Sequence, residues 1–252
     1  MNFNLYSKYY DLLYSDKDYL LETEYVVSSL NELSDFEVKS VLELGGGSGN
    51  HAKYLSNYFD IINGVELSPK MVQIALDRKI KNYNVLQGDI TNVNYPNQQF
   101  DCAISLFHVI SYLKTNEQLI NCFKATHSQI KSGGIFIFDV WYTPAVYSLK
   151  PETRVKTILE GDINITRIAK SEINYESSIV NVNYSIFVED LKSKEYIKFD
   201  ETHSMRHFTT NEIKFIAEYC GFEIVNSEEF LTKKPPTNLT WGVMFALKKK
   251  LV

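Results

Sequence analysis

Long apolar runs are missing from this sequence: no stretch approaches the roughly 18 consecutive apolar residues of a membrane-spanning helix. The opening run from Met1 to Tyr10 is polar and aromatic, without the basic-then-apolar order of a secretory signal. Both absences predict a soluble, cytoplasmic protein with no membrane partner. Cysteine is scarce as well. Cys102, Cys122 and Cys220 form no C-x-x-C pair, so no zinc grouping is expected, and an odd count suits free thiols in a reducing compartment. Positive charge is not in excess: 26 Lys and Arg face 31 Asp and Glu, for a net charge of −5. A domain that grips a phosphate backbone usually carries a positive patch, so nucleic acid is not an expected partner; Lys248-Lys249-Lys250 is only a short tail. Internal repeats and low-complexity tracts are also lacking. What is present is 252 residues, 44% of them hydrophobic, enough for one substantial core with a small subdomain.

The elements predicted along the chain alternate. A helix is expected from Tyr19 to Leu30, then a buried strand over Lys39–Leu44 that stops at a glycine cluster. Asn50 to Phe59 reads as a helix and Ile61 to Leu67 as a second strand. Ser68-Pro69 is a sharp helix start: serine caps free amides, and proline at the first helical position has none to leave unsatisfied. Strands follow at Tyr83–Gln87, ending at Gly88-Asp89, and at Phe100–Leu106. Thr115-Asn-Glu-Gln118 fits a capping box. Gly133-Gly134 reads as a turn before a fifth strand over Ile135–Val140. This order predicts an α/β fold, a mostly parallel sheet with helices on both faces. Residues 154 to 208 break the pattern. Ile163/Ile165/Ile168, Val180/Val182/Tyr184/Ile186 and Tyr196/Ile197/Phe199, with alternation clearest in the middle set, predict a three-stranded antiparallel meander, with turns at Glu176-Ser-Ser178 and Leu191-Lys-Ser193. A second capping box, Thr209-Thr-Asn-Glu212, opens a helix that ends at Cys220-Gly221, and strands near Phe222–Ser227 and Trp241–Lys248 complete about seven core strands.

Glu43-Leu-Gly-Gly-Gly-Ser-Gly49 lies at the carboxyl end of the first strand, the edge where doubly wound sheets bind ligands. Glu43 at that tip suits a cationic amino group. Glu66, near the tip of strand two, suits a ribose diol, and Asp89, at the tip of strand three, an exocyclic adenine amine. Together they describe a nucleoside-like ligand with a cationic amino-acid end. Gly47-Ser-Gly49-Asn-His-Ala52 also matches the dinucleotide pattern G-x-G-x-x-A, but two further glycines precede it, and a carboxylate directly before the loop would repel a pyrophosphate. No Gly-Lys-Ser or Gly-Lys-Thr follows, which excludes a Walker loop.

The run Glu43–Gly49, with Glu66-Leu-Ser-Pro69, Gly88-Asp89 and Phe100-Asp101, resembles the class I S-adenosylmethionine-dependent methyltransferases. The resemblance implies a seven-stranded Rossmann-like sheet and a cofactor, S-adenosyl-L-methionine, that leaves as S-adenosyl-L-homocysteine. It implies cofactor contacts at Tyr10, Glu43, Gly45, Gly47, Gly49, His51, Glu66, Leu67, Met71, Asp89, Ile90 and Phe107. A closer resemblance rests on Tyr6-Ser-Lys-Tyr-Tyr10-Asp11, Lys17-Asp18-Tyr19, Asn50-His51, Phe107–Leu113, Trp141-Tyr142 and Glu201-Thr-His203-Ser-Met-Arg206-His-Phe208. These are similar to the N,N-dimethyltransferases of nucleotide-linked deoxyamino sugars. The resemblance implies domains at 1–36 (a helical cover), at 37–150 and 209–252 (the cofactor-binding core) and at 151–208 (an inserted acceptor-side subdomain).

Methyl transfer from a sulfonium is a displacement, so the protein must align a nucleophile and keep water away. The loop after strand four is where an acceptor would enter. His108 and Tyr112 are the titratable groups there. A histidine titrates near neutrality and a phenol does not, which favours His108 as base. The amino-sugar enzymes instead place their base histidine at the position of Tyr112, a departure that leaves Tyr112 as an orienting contact. Tyr6 and Tyr10, four apart, share one helical face. Tyr6, Trp141, Tyr142, His203 and Arg206 are the expected acceptor contacts, with Arg206 suited to a phosphate or carboxylate. Ser105-Leu-Phe-His108 replaces the Asn/Asp-Pro-Pro-Tyr of adenine amino methyltransferases, and no Pro-Cys appears there. O-methylation of a related carbohydrate and a noncatalytic cofactor-binding subunit are the alternatives, and the aromatic-rich chain could form a homodimer.

Overall fold

The computed structural model describes residues 5–250; the outermost ends of the expected cover and core segments lie outside the described residues. In chain order the elements are α1 (Tyr6–Leu13), α2 (Tyr19–Leu33), β1 (Ser40–Leu44), α3 (Ala52–Leu55), β2 (Ile61–Glu66), α4 (Pro69–Asp77), β3 (Tyr83–Gln87), β4 (Phe100–Ser105), α5 (Asn116–Gln129), β5 (Ile130–Tyr142) and α6 (Thr143–Leu149). Then come β6 (Arg154–Glu160), β7 (Ile163–Asn174), β8 (Ile179–Asp190), β9 (Tyr196–Phe208), α7 (Thr210–Tyr219), β10 (Phe222–Glu229) and β11 (Gly242–Lys249). Single 3₁₀ turns occupy Ile90–Asn92 and Val109–Tyr112. No helix among the described residues is long and apolar enough to cross a membrane.

Strands β3, β2, β1, β4 and β5 run parallel in that order, and β11 and then β10 close the far edge antiparallel. This is the expected α/β, Rossmann-like sheet. Strand β5 explains how the sheet divides the core. Its alternate residues Phe136 and Phe138 enter one apolar layer with Phe123, Phe222 and Phe245, while Ile135 and Ile137 enter the other with Val26, Leu30 and Leu55. Helices on both faces are thus required, because each face is apolar. Both predicted capping boxes form, Thr115 with Gln118 and Thr209 with Glu212, and Ser68 caps α4 with Pro69 in the first turn.

The structure departs from the sequence reading in three places. Gly133-Gly134 is not a turn: β5 runs through it from Ile130, and the left-handed φ of Gly133 (+75°) goes with a shift in register against β4. The helix expected over 50–59 shrinks to Ala52–Leu55, where the Ser56 hydroxyl bonds back to the Lys53 carbonyl and turns follow. The meander has four strands rather than three. The extra strand, β6, is an outer edge with Val155 and Leu159 exposed, so its own pattern carries little alternation and pairing with β7 sets it. Strand β9 then joins the core sheet where β4 stops, pairing His207 and Phe208 in parallel with Trp141 and Tyr142 at the end of β5. The meander is thereby fastened at the ligand-binding edge of the sheet.

Asp101 anchors the start of β1 to β4. One carboxylate oxygen accepts from the Lys39 and Ser40 amides and the Ser40 hydroxyl, and the other from Lys131 at 2.6 Å. Burial alone would raise this carboxyl, but these donors outweigh it and hold it below its ordinary value. Asp101→Asn is expected to cost about 1–3 kcal/mol in urea unfolding at pH 7. Since the folded-state value is depressed, that stabilisation is present above the ordinary carboxylate range and is lost as pH falls through the folded value. The difference between wild type and variant should therefore narrow in acid.

Candidate active site

At the carboxyl edge of the parallel strands lies a cleft of about 170 Å³, open to solvent on one side. Its floor is the loop after β1. Gly45 and Gly46 both donate to the Val65 carbonyl, which folds the loop back over β2. Gly45 has φ +73°, and a Cβ there would stand 2.5 Å from Val109, so only glycine lets the two loops meet. Gly47 donates to one oxygen of Glu66 and the Ser68 amide to the other, leaving that carboxylate at the cleft wall. Burial is the larger influence on Glu66 and raises it despite these amides.

Glu43 sits beneath the floor, buried beside Gly46, with the Tyr83 hydroxyl next to it. Burial pushes its carboxyl up to about 8, and Tyr83 works in the opposite direction. No cation among the described residues pairs with it. A buried carboxyl beside a glycine-walled cleft with a second carboxylate at its tip fits a ligand bearing both an ammonium and a ribose.

The roof is α1, which the meander carries. Tyr6, Tyr9 and Leu13 pack against Ile165, Ile186 and Val188. Asp11 ties the same helix to the floor, accepting from Ser48 (2.6 Å), Asn50 (3.0 Å) and Arg78 (2.5 Å). Tyr6, Tyr10 and Tyr14 all face the cleft, the last at the next helical spacing, where the sequence reading did not look. Lys17 lies 4.2 Å over the Phe107 ring and pairs with Glu22, which also holds His51 at 2.7 Å. His51 therefore reaches the cleft already bonded to a carboxylate.

The opposite wall of the cleft follows β4. Phe107 and His108 are consecutive non-glycine residues with left-handed φ of 66° and 59°, a conformation costing about 1–3 kcal/mol each. Asp139, buried on β5, holds them there. It accepts from the His108 amide at 3.1 and 3.2 Å and stands 2.6 Å from His108 Nδ1. Burial would raise Asp139, but the His108 imidazole and amide prevail and its carboxyl stays below the ordinary value. Opposite, the Tyr112 hydroxyl lies 2.7 Å from Nδ1 of His203. Trp141, Val182, Tyr184 and Met205 complete the wall.

The cleft gathers Tyr6, Tyr10, Gly45, Gly47, His51, Glu66, Met71, Phe107, His108, Tyr112, Trp141 and His203 from the candidates the sequence offered. Others stand apart. Leu67 is 60% exposed and Ile90 is packed into the core. Gly49, φ +81°, packs against Ala75 and Ile80 behind the loop. Asp89 caps the turn at Thr91 and borders a separate hollow of about 150 Å³ with Gly88 and Tyr95. Tyr142 packs on the main core, its hydroxyl 3.4 Å from Thr210. Arg206 bonds Asn116 at 2.8 Å and lies 3.4 Å from Glu212, so its guanidinium is engaged away from the cleft. The pairing of Asp139 with His108 is the main feature sequence reasoning missed, since nothing local marks one carboxylate within the fifth strand as the partner of a histidine 31 residues earlier.

Residues 41–134, the first βαβ units and the glycine loop, match the family described as "Methyltransferase domain". The chain is 26% identical over 246 residues to YqeM of Bacillus subtilis (strain 168), a protein named as a methyltransferase, with 97% of this chain and 96% of that one covered. It is 27% identical over 141 residues to the dTDP-3-amino-3,4,6-trideoxy-alpha-D-glucopyranose N,N-dimethyltransferase of Streptomyces venezuelae, covering 55% of this chain and 58% of that one. The crystal structure of an S-adenosylmethionine-dependent methyltransferase from Clostridium acetobutylicum ATCC 824 shares the fold, with a TM-score of 0.82 at 22% identity, covering 98% of this chain and all of that one. Residues 41–134 make the protein a methyltransferase by its domain match, and the whole chain has the Rossmann-like fold of the class I S-adenosylmethionine-dependent enzymes. It is related, at modest identity, to the sugar N-methyltransferases.

Proposed function

We propose that the protein methylates the amino group of a sugar carried on a nucleotide, with α1 (within 1–36) as cover and the 151–208 meander as the acceptor side. The observation that carries the reading is the His108–Asp139 pair on an aromatic wall at the cleft. Three relatives are named as N,N-dimethyltransferases of dTDP-linked amino sugars, which supports the acceptor class. When bound, S-adenosylmethionine supplies an electrophilic methyl group. Gly45, Gly47 and Met71 would border its methionine end, Glu43 its ammonium, and Glu66 its ribose. Tyr10 and Phe107 would enclose the reacting carbon and exclude water.

An amine attacks only as the neutral form. The Asp139 carboxylate, 2.6 Å from Nδ1 of His108, favours the tautomer with the proton on that nitrogen, which leaves the Nε2 lone pair as the proton acceptor. The same pair is also what a hydroxyl acceptor needs, and this favours O-methylation of a related carbohydrate as the second reading. Mass spectrometry of reactions with paired dTDP-sugars, one bearing an amine and one a hydroxyl at the same carbon, separates the two. A gain of one or two methyl groups on the amine alone is expected, with matching S-adenosylhomocysteine; methylation of the hydroxyl partner alone overturns the amine reading.

His108→Ala is expected to lower kcat by about 10²-fold or more while S-adenosylhomocysteine affinity, read by calorimetry, changes little. Binding of the ammonium beside Glu43 should draw its proton off, because the neutral acid in the free protein becomes a paired carboxylate. Calorimetry of S-adenosylhomocysteine binding in buffers of differing ionisation enthalpy should show close to one proton released at pH 7 and tighter binding as pH rises toward about 8. Glu43→Gln should abolish the release.

A further inference from the structure

Strand β6 ends the meander, and among the described residues no strand lies beyond it. The two-residue turn Gly161-Asp162, with φ +59° at the glycine, joins it to β7, and the pairing runs from Arg154 with Ala169 to Glu160 with Ile163. A two-residue hairpin closes on a hydrogen-bonded pair, so Glu160, Ile158, Lys156 and Arg154 direct their backbone groups to β7. The amides and carbonyls of Val155, Thr157 and Leu159 therefore point to the open edge.

Folded proteins usually blunt such an edge with a bulge, a proline or a free lysine. None of these guards β6. Its pairing with β7 has no register shift, and no proline falls within Arg154–Glu160. Its one lysine is turned onto α1, where Lys156 Nζ donates to the Leu13 carbonyl at 2.9 Å and to Asp16 at 2.5 Å. Ile158 packs on that same side, in the cluster of Tyr6, Tyr9 and Leu13. The opposite face of the strand carries Val155 and Leu159, which are 65% and 64% exposed.

The strand reads Arg-Val-Lys-Thr-Ile-Leu-Glu, and it is complementary to its own reverse. In a second copy laid antiparallel about a two-fold axis at Thr157, Arg154 faces Glu160 and Val155 faces Leu159, and symmetry makes each contact twice. Thr157 faces its own counterpart. The outward backbone groups of Val155, Thr157 and Leu159 then bond one another, and each exposed apolar side chain gains an apolar neighbour on the same face. Sliding the register by two residues sets Val155 against Thr157 or Gly161 and loses both apolar pairs. We propose that the protein is a homodimer in which the β6 strands of two copies pair antiparallel about Thr157, joining the two meanders into one continuous sheet. The pairing braces from behind the strand that holds α1 over each cleft, and it is independent of which acceptor is methylated.

Sedimentation equilibrium of the full chain should show a dimer. Arg154→Glu sets like charges opposite each other at both ends of the pairing and should raise the dimer dissociation constant about tenfold or more; Arg154→Glu combined with Glu160→Arg should restore it. Both positions are exposed, so folding is expected to survive, and a thermal melt checks this. Cross-linking tests the register. Cys102, Cys122 and Cys220 are all buried, which leaves an edge thiol as the accessible one. Thr157→Cys should give a disulfide-linked dimer on mild oxidation, because the Cα atoms of a hydrogen-bonded cross-strand pair lie about 5.5 Å apart. Val155→Cys should not, because the axis holds its two copies about 14 Å apart along the strand. A chain that stays monomeric at its highest soluble concentration overturns the proposal and leaves the edge to a strand from another protein. A dimer that is indifferent to Arg154→Glu, or that cross-links as readily through Val155→Cys as through Thr157→Cys, overturns it too.

Discussion

The Asp139 carboxylate is the contact on which the cleft depends. It is buried, so unpaired it would be costly, and it is satisfied by the amide and the imidazole of one residue, His108. Hydrogen bonds to a buried charge are worth about 1.5–3 kcal/mol each, comparable with the cost of the two left-handed residues they stabilise. The strained turn persists because this carboxylate over-determines it. From that turn the Phe107 ring projects against Tyr14 and beneath Lys17, and the 3₁₀ turn that carries Tyr112 begins. Without Asp139 the aromatic wall and both titratable side chains would lose their common origin.

A second constraint joins the roof to the rest. Helix α1 is short, and eight residues form a marginal helix alone. It is held on one side by apolar packing on the meander and on the other by Asp11, whose carboxylate gathers donors from the glycine loop and from Arg78 just past α4. The meander, the cover and the glycine loop are thereby mechanically continuous. Because β9 also pairs with the end of β5, the meander and the strand that carries Asp139 share one junction at Trp141.

Much of the fold was legible in the sequence. The strand at Tyr83–Gln87 falls where its apolar pattern placed it, and both capping boxes and the Ser68-Pro69 start form as read. These signals are local: a cap or a strand period is set within a few residues. The misreadings share a cause. The glycine pair at 133–134 looks like a turn in isolation, yet pairing on both sides carries β5 through it. Strand β6 is an edge whose outer residues face water, so its sequence lacks the alternation that would announce it.

The site was legible in part for the same reason. The glycine loop, Glu66 and the aromatic face of α1 could be read because strand tips and helical spacing place them. The groups that set their chemistry could not. Asp139 meets His108 across 31 residues, Tyr112 meets His203 across 91, and Asp11 meets Ser48 across 37. Arg206, an expected substrate contact, donates instead to Asn116, 90 residues away. Propensity, capping and periodicity act over short stretches of chain, so the sheet, the glycine loop and the aromatic face of α1 could be read locally. Which carboxylate faces which imidazole is set by the folded chain alone, because hydrogen bonds act over about 3 Å of space and are indifferent to distance along the chain.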